Sequence, residues 1–86
     1  MKYEEVKRIL VEKGLTNYKL FEAPNYEPNN VGIIKNGSDY EVFATSERGT
    51  PAGIKKFKTQ EEALDNFISR VESLNRLIAK NPNLFL

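Results

Sequence analysis

Apolar residues in this chain repeat with two periods, and the change from one to the other is its main landmark. Between Lys2 and Lys13, the residues Tyr3, Val6, Ile9 and Leu10 fall three and four apart, which places them on one stripe of a helix. Gly14 suits the left-handed position that closes a helix, and Leu15 can fold back over the last turn. Glu4 and Glu5 in the first turn and Lys13 in the last complement the helix dipole. Tyr18 to Glu22 is short and aromatic-rich and reads as a strand. Ala23 to Asn30 carries two prolines and three asparagines and reads as a loop, because proline removes ladder donors and restricts its predecessor. Tyr26 in that loop has no periodic partner. It either covers an edge of the core or serves as a contact residue on a binding loop.

The period then becomes two. Val31 to Lys35 and Asp39 to Ser46 read as strands around Asn36-Gly37, a pair that favours a type I′ turn. That turn sets Lys35 against Ser38, Ile33 against Tyr40 and Val31 against Val42. Val31, Ile33, Tyr40, Val42 and Ala44 then share an apolar face that belongs under the helices. Ile34, Glu41, Phe43 and Thr45 share the other, mixed face, expected to be largely solvated, where Phe43 and Ile34 need a cover or a partner. A one-residue slip would exchange the two faces. Glu47 to Gly53 is a connection. Ile54 to Lys58 is a short fourth strand whose imperfect alternation suggests a bulge.

Thr59 opens the strongest helix. Thr59-Gln60-Glu61-Glu62 has the form of a capping box. Leu64, Phe67, Ile68, Val71, Leu74, Leu77 and Ile78 form one stripe, which Asn81-Pro82 ends. Such a helix is about 30 Å long, enough to cross a small sheet and overhang it. The expected fold is a single α+β domain over residues 1–86, in two layers. An antiparallel sheet of three or four strands carries an N-terminal helix and a long C-terminal helix on one face, in the order α-β-β-β-(β)-α. Residues 81–86 form a tail in which Leu84, Phe85 and Leu86 fold back onto the core.

Composition narrows the chemistry. The chain has 86 residues with neither cysteine nor histidine. Disulfide and thiolate chemistry are out, a cytoplasmic location is expected, and the usual neutral-pH base and commonest metal ligand are missing. The longest apolar run is far too short to span a membrane, and the N-terminus lacks the apolar segment of a signal peptide. Candidate catalytic carboxylates are Asp39, Glu41 and Glu47, the last two close enough at a strand end to suggest a glycosidase pair. So small a domain offers little room for a deep pocket, and exposed strand acids are ordinarily just solvated. Neither a P-loop nor an EF-hand spacing is present. A non-enzyme without cofactor or metal is therefore expected. Net charge is +1, too balanced for general nucleic-acid affinity. From Arg48 to Lys58, however, every charged residue is basic: Arg48, Lys55, Lys56 and Lys58.

The element order resembles that of double-stranded-RNA-binding domains. Those domains set lysines at the start of the final helix, where this chain has Glu61 and Glu62, which repel phosphate from the helix end. Lysines on a strand edge also have a simpler use in blocking edge-to-edge association. The run Phe57 to Ala63 is of a type that recurs in RNA–DNA-hybrid-binding and integrase arm-binding domains, and it signifies a strand leading into a capped helix.

A different resemblance rests on Tyr40-Glu41-Val42-Phe43-Ala44-Thr45-Ser46-Glu47-Arg48-Gly49, then Phe57, then Glu61-Glu62-Ala63. This pattern resembles small immunity proteins of bacterial polymorphic-toxin systems, in particular the immunity protein 59 family. Where that family often has a tryptophan or another aromatic before the Glu-Val core, this chain has Tyr40. The resemblance implies a protein that neutralises a cognate toxin, the C-terminal domain of a secreted effector, by occluding its active site. Immunity proteins facing basic nucleases tend to be acidic. This chain is not, so its toxin is not a strongly basic nuclease or is bound away from its catalytic groove.

The expected partner-binding residues are Tyr26, Phe43, Glu47, Arg48, Lys55 and Lys56. Arg48 is the best anchor, since guanidinium groups and aromatics dominate interface energetics. Glu47 and Arg48 could instead simply pair with each other, with Gly49 supplying a positive φ. The alternative function is a small RNA- or DNA-binding module using the basic cluster of residues 48–58. The chain is expected to be a monomer or a weak homodimer formed through Phe43 or the C-terminal tail, and not to bind membranes.

Overall fold

The computed structural model describes residues 1–22 and 27–81. Tyr26 and the Leu84-Phe85-Leu86 tail lie outside the described residues. The elements are α1 (Tyr3–Glu12), β1 (Tyr18–Leu20), β2 (Val31–Asn36), β3 (Asp39–Thr45), β4 (Pro51–Phe57) and α2 (Gln60–Lys80). This is the expected α+β arrangement, an N-terminal helix, a small sheet and a long C-terminal helix.

Helix α1 ends as its sequence dictates. Gly14 adopts φ +59°. The Leu15 amide donates to the Leu10 carbonyl at 3.0 Å and the Gly14 amide to the Val11 carbonyl at 3.1 Å. These are the two bonds of a Schellman motif. Val6 and Leu10 enter the core, and Leu15 packs against it. Lys13 pairs with Glu72 at 2.5 Å and ties the end of α1 to α2.

The strand order is β1-β2-β3-β4. The β2–β3 and β3–β4 pairs are antiparallel, whereas β1 runs parallel to β2, so the sheet is mixed rather than wholly antiparallel. A three-residue strand is only about 10 Å long, so the segment 21–30 suffices to carry the chain back to the same end. Phe21 starts that return at φ +54°, an uncommon conformation for a bulky residue. Its ring lies 6.0 Å from Tyr3 and 6.2 Å from Tyr40.

The β2–β3 turn is centred one residue later than Asn36-Gly37. Asn36 pairs with Asp39, Lys35 with Tyr40, Ile33 with Val42 and Val31 with Ala44. Gly37 and Ser38 make the turn, and only Gly37 has a positive φ, +64°. Glycine first, then a residue with ordinary φ, is the arrangement of a type II′ hairpin rather than I′. Every expected partner shifts by two positions, so the faces are preserved. Val31, Ile33 and Val42 are buried on the helix side, with Tyr40 packed beside them.

The opposite face is not largely solvated. Phe43 is only 7% exposed and Glu41 only 9%. Phe43 lies over Gly32, its register partner, and Glu41 accepts a hydrogen bond from Asn36 Nδ2 at 2.7 Å.

Strand β4 begins at Pro51, earlier than its alternation indicates, and the bulge is present. Val42 pairs with Lys55 and Ala44 with Ala52, so β4 holds one residue more than β3 between those pairs. Gly53 sits in the extra stretch at φ +60°, as in a bulge built on a left-handed glycine. Thr59 caps α2 by accepting from the Glu62 amide at 3.3 Å. The Glu62 carboxylate reaches back to the Thr59 hydroxyl at 2.8 Å instead of to its amide.

Ala63, Leu64, Phe67, Ile68 and Val71 of α2 are buried. The same stripe loses its cover toward the C-terminus, where Leu77 is 48% exposed. A 21-residue helix spans about 31 Å and a seven-residue strand about 23 Å, so the last turns of α2 overhang the sheet. Among the described residues, no helix is long and apolar enough to cross a membrane.

Candidate functional site

One end of the domain gathers the loops that precede β1, β2 and β4, together with the C-terminal half of α2. Three anchors organise it. Thr45, the last residue of β3, receives the Asn30 amide on its hydroxyl at 2.8 Å and donates to the Glu27 carbonyl at 2.5 Å. This pins residues 27–30 to the sheet. Asn75 on α2 accepts from the Thr16 amide at 3.0 Å and donates to the Thr16 carbonyl at 2.9 Å, fixing the loop before β1. Ser46 organises the third loop.

The Ser46 hydroxyl accepts from the Arg48 amide at 3.2 Å and the Thr50 amide at 3.3 Å, while its carbonyl accepts from the Gly49 amide at 3.0 Å. Serine is favoured in such turns because its hydroxyl can bond the backbone two residues on. Gly49 is buried at φ +77°. The loop is thereby closed by its own backbone, and Glu47 and Arg48 project from it into solvent. Among the described residues neither side chain takes part in an ion pair, with the other or with anything else. Gly49 does supply the positive φ, but a local Glu47–Arg48 pair does not account for the run.

Among the described residues, the remaining candidates do not join Glu47 and Arg48 in one patch. Phe43 is covered and offers almost no surface. Lys56 faces Glu41 across the β3–β4 pair, on the outer face, whereas Lys55 faces Val42, on the helix side. The Lys55 ammonium lies 5.7 Å from the centre of the Phe57 ring. The two lysines therefore point to opposite sides of an edge strand. The candidate carboxylates are also apart. Glu41 lies four residues, about 13 Å, before the end of β3 and reaches toward Asn36, away from the loop that holds Glu47. This is not a glycosidase pair. Among the described residues no group of three acidic side chains gathers as a metal site.

Sequence patterning did not disclose a cleft of about 380 Å³ beneath the second half of α2. Val31, Ala44 and Leu74 supply its apolar lining, with Asn29, Thr45, Ser69, Arg70 and Ser73 among its polar residues. Its cause lies in side-chain size. Ala44, a small residue at the end of the inner face, leaves space under the helix. Arg70 crosses this region and donates from Nη1 to the Gly53 carbonyl at 2.9 Å. Nearly two turns further on, Arg76 donates to the Ser73 hydroxyl at 3.1 Å. Among the described residues, neither guanidinium has an ion-pair partner. The only hint in the sequence is Gly53 itself, since a glycine inside a strand often marks a bulge. No known protein family, curated protein or solved structure matches this chain.

Proposed function

We propose that the chain is a non-catalytic protein-binding module of the cytoplasm that neutralises a cognate bacterial toxin by direct contact. The observation that carries this reading is the Ser46–Thr50 loop. Its backbone is held by four hydrogen bonds to Ser46, yet it presents Glu47 and Arg48 without ion-pair partners among the described residues. A rigid loop offering a guanidinium loses little conformational entropy on binding, and arginine is enriched among the residues that dominate interfaces. The exposed flank of α2 at Leu77 lies at the same end of the domain and adds apolar surface. The resemblance of residues 40–49 to immunity proteins supplies the toxin as the kind of partner.

The basic cluster supports a nucleic-acid interface less well. Lys55 and Lys56 face opposite ways, and β4, about 23 Å long, separates Arg48 from Lys58. Co-expression tests the proposal. A toxin domain encoded by the adjacent upstream gene should arrest growth alone and not when this chain is present. Arrest that persists with both proteins in the soluble fraction would refute it.

A further inference from the structure

We infer that the cleft beneath α2 is a binding site for a small carboxylate with an apolar tail, independent of any protein partner. Its volume of about 380 Å³ falls at the lower end of the range for small-molecule sites, and its character, mostly apolar with a few convergent polar groups, is that of such sites. Val31, Ala44 and Leu74 would take the tail.

The head is specified by charge. Among the described residues, Arg70 is the only charged one that lines the cleft. It is partly buried, and among the described residues no carboxylate balances it. One of its N–H groups is tethered to the Gly53 carbonyl. This restrains one end of the guanidinium and leaves other donors for the two oxygens of a carboxylate, the geometry that arginine recognises best. The Ser73 hydroxyl already holds Arg76 near the rim, which adds a second positive charge. An ammonium ligand would meet repulsion from both arginines, and a neutral one would gain nothing from them.

The test is an amide-resolved NMR titration of the full chain with octanoate, octanol and octylammonium in parallel. Octanoate should give saturable shifts at Val31, Ala44, Ser73 and Leu74, with weaker effects from octanol and none from octylammonium. Arg70→Gln should weaken octanoate binding about tenfold, the loss expected for one charge-assisted contact. Ser73→Glu, at an exposed helix position that tolerates glutamate, should weaken it similarly with an unchanged thermal transition. Octanoate shifts that do not saturate or fall elsewhere would overturn the assignment. So would equal binding of octylammonium or octanol, or octanoate affinity that both variants retain.

Discussion

The ring of Phe43 lies so close over Gly32 that a Cβ at position 32 would come within 2.4 Å of the ring's Cζ. The two residues face each other across the β2–β3 pair. This contact decides the role of Phe43. On an otherwise mixed face it looked like a residue awaiting a partner or a dimer contact, and the glycine opposite instead gives the ring somewhere to lie. Gly32→Ala should destabilise the domain by about 2 to 3 kcal/mol through overpacking, measured by urea denaturation. In a Phe43→Leu background the same change should cost less than about 1 kcal/mol, since coupled neighbours are not additive. Equal costs in both backgrounds would show that the ring is not the obstacle.

Gly53 differs from Gly32 in mechanism. A Cβ there would meet only Arg70 Nη1, at 3.8 Å, but the backbone is left-handed at φ +60°. Gly53→Ala should therefore cost about 1 kcal/mol in backbone strain alone. Phe43→Leu should leave that cost unchanged. If the Phe43 change relieved it, the bulge and the Gly32 contact would be one unit.

Asn75 holds the loop before β1 against α2 through Thr16 and also donates to the Val71 carbonyl at 2.8 Å. Asn75→Ala leaves the Thr16 amide without that partner and should cost about 2 kcal/mol. Hydrogen exchange at Thr16 should rise well before exchange in the β2–β3 core. Unchanged protection there would contradict the anchoring role.

Thr59→Ala should lower stability by about 1 kcal/mol through loss of the cap on the Glu62 amide. Thr59→Ser, which keeps the oxygen, should recover most of it in the same thermal melt.

The two helices and the faces of the β2–β3 hairpin were legible because each depends on a period that a sequence carries directly. The hairpin centre was misplaced because Asn36-Gly37 and Gly37-Ser38 both make good turns. The shift came in pairs, so Val31, Ile33 and Val42 still fell inside. The direction of β1 was not legible, since Tyr18-Lys19-Leu20 says nothing about which way the strand runs beside Val31. Lys55 and Lys56 looked like one cluster because they are adjacent, although adjacency in a strand is what separates them. The cleft was hidden for another reason. It depends on Val31 and Ala44 of the sheet lining one space with Leu74 of α2 and on Arg70 meeting the Gly53 carbonyl, relations between elements that no local pattern encodes.

Binding through the Ser46–Thr50 loop is the central claim, and a calorimetric titration tests it most directly. The wild-type chain and its Arg48→Glu variant would each be titrated against the toxin domain encoded by the adjacent gene. The account predicts a saturable complex for the wild type and at least about tenfold weaker binding for the variant. It also predicts an unchanged thermal transition, because the Arg48 side chain makes no hydrogen bond or ion pair among the described residues. Equal affinity of the two proteins for the toxin domain, or no complex with either, would contradict it.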